Sequence, residues 1–153
     1  MPKLLLFAPC QKILVDKLEN SISLINVMHG LAAGRVENTS LEPMSPDTKI
    51  PLQWAIGTLW LRSSDDGEKT FEQRTEMIIP DNTRMEINVQ SFVMTHRTHQ
   101  IAMRAGAFPV GLPGEYKLVL SLREVGTNDE WQELAEYPIE LTHETNLTKK
   151  VDD

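Results

Sequence analysis

Four histidines, one cysteine and a scatter of carboxylates are the residues of this chain equipped for chemistry. The densest grouping is His96-Arg97-Thr98-His99. Two imidazoles three apart share a face on a helix and would hold a metal there, whereas on a strand the same spacing sends them to opposite faces. The segment reads as the end of a strand. A tight turn, with His143 from the last strand as a third ligand, would make His96, His99 and His143 a metal site; exposed imidazoles on a polar turn explain the same letters. Arg97 and Arg104 bracket the one locally basic stretch of an acidic chain. They suit either a small anion patch or a solvated edge whose charges discourage strand pairing.

The other candidates are sparser. A thiol nucleophile needs a lowered pKa, and Ala8-Pro9-Cys10-Gln11 offers no helix N-terminus and only Lys12 as a positive neighbour. A buried cysteine in an apolar strand is the expectation for Cys10. Asp65-Asp66-Gly67-Glu68 resembles part of a calcium loop but lacks the alternating ligands and closing glutamate of an EF-hand. Loops at one end of a C2-type module bind calcium through Asp residues, for which Asp16, Asp47, Asp65, Asp66 and Asp129 would serve; a soluble hairpin turn accounts for the same residues. No glycine spacing matches a phosphate loop, and no Gly-x-Ser-x-Gly elbow occurs. The expectation is a protein without catalytic residues or cofactor, and so not an enzyme.

Strands must position these residues. Phe71, Met77 and Ile79 alternate with Glu72, Arg74 and Glu76, and Tyr116, Leu118, Leu120 and Leu122 with Glu115, Lys117, Val119, Ser121 and Arg123; Trp131, Ala135, Tyr137, Ile139 and Leu141 share one parity, and Trp131 begins the last strand, where an amphipathic ring covers the end of a sandwich. Period two with one apolar face is the pattern of a half-buried antiparallel sheet. Trp54 to Leu61 and Ile22 to Met28 are apolar on both parities and read as strands covered more completely, Leu4 to Val15 as a long strand interrupted at Pro9, and Met85 to Met94 as a strand bulged near Gln90-Ser91. A short strand at Ile101 to Ala105 brings the count to about eight. Turn chemistry at Asp65-Asp66-Gly67, Pro80-Asp81-Asn82, Leu112-Pro113-Gly114 and Gly126-Thr127-Asn128-Asp129 separates them, with Asp16 to Asn20 closing a first hairpin. The prediction is an all-β chain: one antiparallel β-sandwich, immunoglobulin-like or C2-like, over residues 1–143, with a crossing loop at 37–50 and a polar, frayed tail at 144–153.

Composition narrows the partners. At 153 residues the chain is long enough to bury one core without a metal or disulfide staple, and a single cysteine fits a reducing cytoplasm. A net charge of -7 with no basic run disfavours nucleic acid and anionic membranes, and no apolar stretch reaches the roughly 20 residues of a membrane helix. The run Leu4 to Ala8 before Cys10 imitates a lipoprotein signal but is too short, and Pro9 stands where a small residue is wanted. Trp54 and Trp60 share a parity and point to the core; with Tyr116 they would line any small-ligand pocket between sheets. The block Ala105 to Gly114 is apolar and loop-like, and such loops dock partners. Phe108, Val110 and Leu112, with Arg97 and Arg104, are therefore the expected partner-binding residues, for a protein of unknown identity or for a second copy in a homo-oligomer.

Leu6-Phe7-Ala8-Pro9-Cys10-Gln11-Lys12, Ser23-Leu24-Ile25, Pro51-Leu52-Gln53-Trp54, Trp60, Phe92 and Gly114-Glu115-Tyr116-Lys117-Leu118 together resemble a family of small bacterial proteins, each one β-sandwich domain of unknown function. The resemblance spans roughly residues 3–143. It implies the fold and a bacterial source, and brings no activity or catalytic residue. The Gly-x-Tyr-x-Leu ending also recurs in many immunoglobulin-like sandwiches.

Overall fold

The computed structural model describes residues 1–35, 44–127 and 130–145, and among them the chain forms nine strands and no helix. In order these are β1 (Lys3–Asp16), β2 (Ser21–Val27), β3 (Gly30–Arg35), β4 (Lys49–Leu61), β5 (Thr70–Ile78), β6 (Arg84–Val93), β7 (Thr98–Pro109), β8 (Gly114–Glu124) and β9 (Gln132–Thr145). They make a four-stranded sheet, β2-β1-β4-β7, packed on a five-stranded sheet, β3-β9-β8-β5-β6. The β-sandwich read from the alternation is what the chain forms. One detail departs from an all-antiparallel design: β3 pairs with β9 in parallel, Gly30 against Glu140 through Arg35 against Thr145.

The alternating residues fill the space between the sheets. Phe71, Met77 and Ile79 meet Leu118, Leu120 and Leu122 and, from the facing sheet, Trp54, Ile56, Trp60 and Ile101, all at or below 6% exposure. Gln73 and Thr75 of β5 follow the same parity inward. The Trp60 Nε1–H donates to Gln73 Oε1 at 2.9 Å, and Gln73 Nε2 donates to Thr58 Oγ1 at 3.0 Å, so a polar bridge crosses from one sheet to the other with its members satisfied.

β4 is apolar on both parities because its outer face is covered too. The end of the β1–β2 hairpin folds over it, and Cys10, Ile13 and Ala55 form a small cluster with Ile22, Leu24 and Ala102. Gly57 lets that happen: a Cβ there would lie 2.6 Å from Leu24 Cδ2 and 3.5 Å from Ile13 Cδ1. The Asp16 carboxylate accepts the Leu18 and Glu19 N–H groups at the hairpin turn, and Asn20 takes a left-handed φ of 50°.

Four sequence readings are corrected. β2 is an edge strand, not a covered one: among the described residues no strand pairs beyond it, and Ile25 and Val27 are exposed. The bulge of β6 is at Ile87, since Thr75 pairs with Asn88 and Glu76 with Glu86, while Gln90 and Ser91 pair regularly. Trp131 lies against the outer face of the five-stranded sheet, with the guanidinium carbons of Arg74 and Arg123 at 4.5 and 4.4 Å from its ring, instead of capping the sandwich. Glu144 and Thr145 belong to β9; the rest of the tail at 146–153, residues 37–43 of the crossing loop, and Asp129 lie outside the described residues.

Candidate functional site

The edge strands β6 and β7 come from different sheets and border the same flank of the sandwich. At one end the flank is closed. His99, at the start of β7, stacks on Phe92 of β6 with centroids 4.8 Å apart and planes 8° apart, and Phe92 in turn stacks on Trp60 at 5.9 Å. At the other end the sheets leave a cleft of about 240 Å³, lined by Trp54, Met77, Met85, Ile87, Ala105 and Ala107 among others, with Lys49 and Glu86 among its polar residues. The Trp54 Nε1–H donates to the Ala107 carbonyl at 2.8 Å, beside a bulge between Pro51 and Trp54 that re-aims β4. The indole is thus locked as a cleft wall, while the methionines remain adaptable.

The sequence-predicted site residues fall elsewhere. His99 and His143 are at opposite ends of β7: His143 Nε2–H donates to Val110 O at 2.6 Å, just past the strand's C-terminus, whereas His99 pairs with Trp60 near its beginning. Eleven residues of extended strand span roughly 35 Å. His96 is exposed on the turn between β6 and β7, and no group of three His, Cys, Asp or Glu among the described residues is placed to hold a metal. The metal cluster is therefore not assembled. Arg97 and Arg104, seven residues apart along an extended chain, are separated by about 20 Å. Arg97 O accepts the Arg62 N–H at 2.8 Å, and Arg104 lies on the outer face of the four-stranded sheet opposite Ala55. They do not converge on one anion.

The apolar block is corrected more sharply. Residues 105–109 are not a loop but the second half of β7, and Phe108 and Val110 are fully or almost fully buried in the main core, with Leu112 packed against it. Phe108 meets Trp54 edge-on at 5.2 Å and Tyr116 at 5.7 Å. Gly106 and Pro109 suggested a loop, yet an edge strand tolerates both. Trp60 and Tyr116 are likewise buried in the core and do not border this cleft; the Tyr116 hydroxyl donates to Leu112 O at 2.7 Å, and burial raises its pKa. Of the three aromatic candidates only Trp54 borders the cleft.

Cys10 is completely buried, and burial raises its thiol pKa, opposite to what a nucleophile needs. Asp66 is buried as a loop staple, its Oδ2 accepting the Ser63 N–H at 2.7 Å and its Oδ1 3.0 Å from the Met1 ammonium. A second cleft, about 330 Å³, borders the Pro80–Asn82 turn, but Glu115 and Lys117 there pair with each other at 3.7 Å. The cleft residues that sequence reasoning passed over are Met77, Met85 and Ile87, while Ala105 and Ala107 lay in the block read as a docking loop. Their parity was legible, but that β6 and β7 become neighbours was not.

The His99 stack makes a pH prediction. Burial first, and His96 second, lower the His99 pKa below its ordinary value. The unfolded chain therefore binds the proton more readily, so His99 contributes stability that is complete above about pH 6.5 and declines as pH falls below it toward the folded pKa. Melting curves between pH 7.5 and 5.5 should show a decline that His99→Phe, which keeps a stacked ring, reduces. Neither a protein-family model nor a curated protein matches the chain.

Proposed function

We propose that the protein is a non-catalytic interaction module that takes an extended apolar segment of a partner protein into the cleft between β6 and β7. The observation that carries the reading is the cleft itself, an apolar gap of about 240 Å³ between the edge strands of the two sheets. Its size decides between occupants. Small-molecule pockets run from about 300 to 1,000 Å³ and enclose their ligand; this one has room for one or two side chains of a segment running past, held by the apolar walls of the cleft. Lys49 and Glu86 give the cleft one positive and one negative residue to orient the segment. A bacterial cytoplasmic setting belongs to the same reading, supported by the family resemblance and by a lone, buried thiol.

A displayed library of random peptides tests this. Panning should enrich sequences alternating apolar and polar residues. Ala105→Trp, which fills the cleft from its wall, should weaken the selected peptides about tenfold or more. Failure to enrich any sequence, or binders indifferent to Ala105→Trp, would overturn the proposal.

A further inference from the structure

The four strand edges of the sandwich are not equally protected. β7 carries Arg104 and ends in Pro109. β6 carries Arg84 and Glu86 and is bulged at Ile87. β3 is six residues long and includes two glycines. Charge, proline, bulging and shortness are the devices that stop an edge from pairing with another chain. β2, Ser-Ile-Ser-Leu-Ile-Asn-Val, has no charged residue, no proline and no glycine. Beside it the β1–β2 hairpin exposes Leu14, Val15, Ile25 and Val27, at 37–46%. The left-handed Asn26, φ 54°, limits the straight part to Ser21 through Ile25.

We infer that β2 pairs antiparallel with β2 of a second copy, joining the two four-stranded sheets into one of eight strands. The sequence of β2 favours its own copy. A two-fold axis sets a strand against itself, so a charged edge risks facing its own charge, and like charges directly opposite are destabilising. β2 brings none. With the axis at Ser23, Ile22 faces Leu24 of the second copy. Both side chains already pack on the cluster of Cys10, Ile13 and Ala55, so pairing would make one apolar stripe of two. β2 and β7 are opposite edges of their sheet, so this surface is separate from the β6/β7 cleft and stands without it.

Light scattering on purified protein at tens of micromolar should give twice the chain mass of 17.3 kDa. Ser23→Lys, at an exposed position, should give the monomer mass with unchanged circular dichroism, the dimer Kd rising roughly a hundredfold or more from facing lysines. Ser23→Cys supplies a readout that needs no loss of assembly. Facing residues in an antiparallel pair have Cα atoms about 4.5 to 5.5 Å apart, within disulfide reach, so mild oxidation should yield a covalent dimer while buried Cys10 stays reduced. A wild-type monomer at these concentrations, a Ser23→Lys dimer, or Ser23→Cys that stays uncrosslinked would each overturn the inference. Ala105→Trp should leave the dimer intact and Ser23→Lys should leave peptide binding intact, so the two readings fail separately.

Discussion

Phe108→Ala is expected to cost about 3 to 5 kcal/mol of folding stability, the range for removing a buried aromatic ring and leaving a cavity. Phe108 is completely inaccessible and wedged between Trp54 and Tyr116 where β7 ends. For a domain of this size each kcal/mol moves the melting temperature by roughly 2 to 4 °C, so the midpoint should drop by the order of 10 °C. Calorimetry or a urea titration with an unchanged slope checks this. Had residues 105–114 been an exposed docking loop, the same change would leave stability nearly untouched. Phe108→Asp, which a loop reading would use to abolish partner binding, should instead unfold the chain by burying an unpaired charge.

Gly111→Ala should be nearly as damaging, for a different reason. Its Cβ would sit 2.1 Å from Ser45 O and 2.7 Å from the Pro46 carbonyl, and these are backbone atoms that no rotamer change can move aside. The 44–48 segment would have to withdraw, pulling against the Val110 N–H to Thr48 O bond at 2.8 Å that precedes β4. Forced overpacking of this kind costs about 1 to 3 kcal/mol, and the rigidity of the obstacle puts this case at about 3. The measurement is the urea midpoint of Gly111→Ala beside Gly126→Ala. The latter has nothing within 4 Å to meet and loses only what its φ of 86° imposes.

Side-chain parity explains what was legible. Strands β5, β8 and β9 could be read because each pairs on both sides and turns one apolar face to the core, so their letters alternate, Val119 of β8 being the buried apolar exception on the other face. β4 could be read as doubly covered because the hairpin lies over Ala55 and Gly57. β2 wrote the same apolar letters without a cover, and parity does not distinguish a buried apolar residue from one exposed on an edge. β3, Gly-Leu-Ala-Ala-Gly-Arg, has little strand propensity of its own and owes its conformation to β9. The candidate cleft belongs to the same class of information. It arises where two edges from different sheets meet, and strand order is a tertiary fact. The histidines misled for a related reason: spacing along a chain says little when an extended strand carries residues 99 and 110 tens of ångströms apart.

The parallel pairing of β3 with β9 also bears on how the chain reaches its fold. Its partners are about 110 residues apart in sequence, a separation that slows folding because loop-closure entropy must be overcome before the contacts form. The β1–β2 hairpin is local and can form as soon as it is synthesised. β3, the next strand along, cannot be placed until β9 has been made, and so it waits while the roughly one hundred residues between them are synthesised. Pairing of β3 with β9 is thus a late stitch, and the β2 edge that precedes β3 in the chain is exposed throughout that interval.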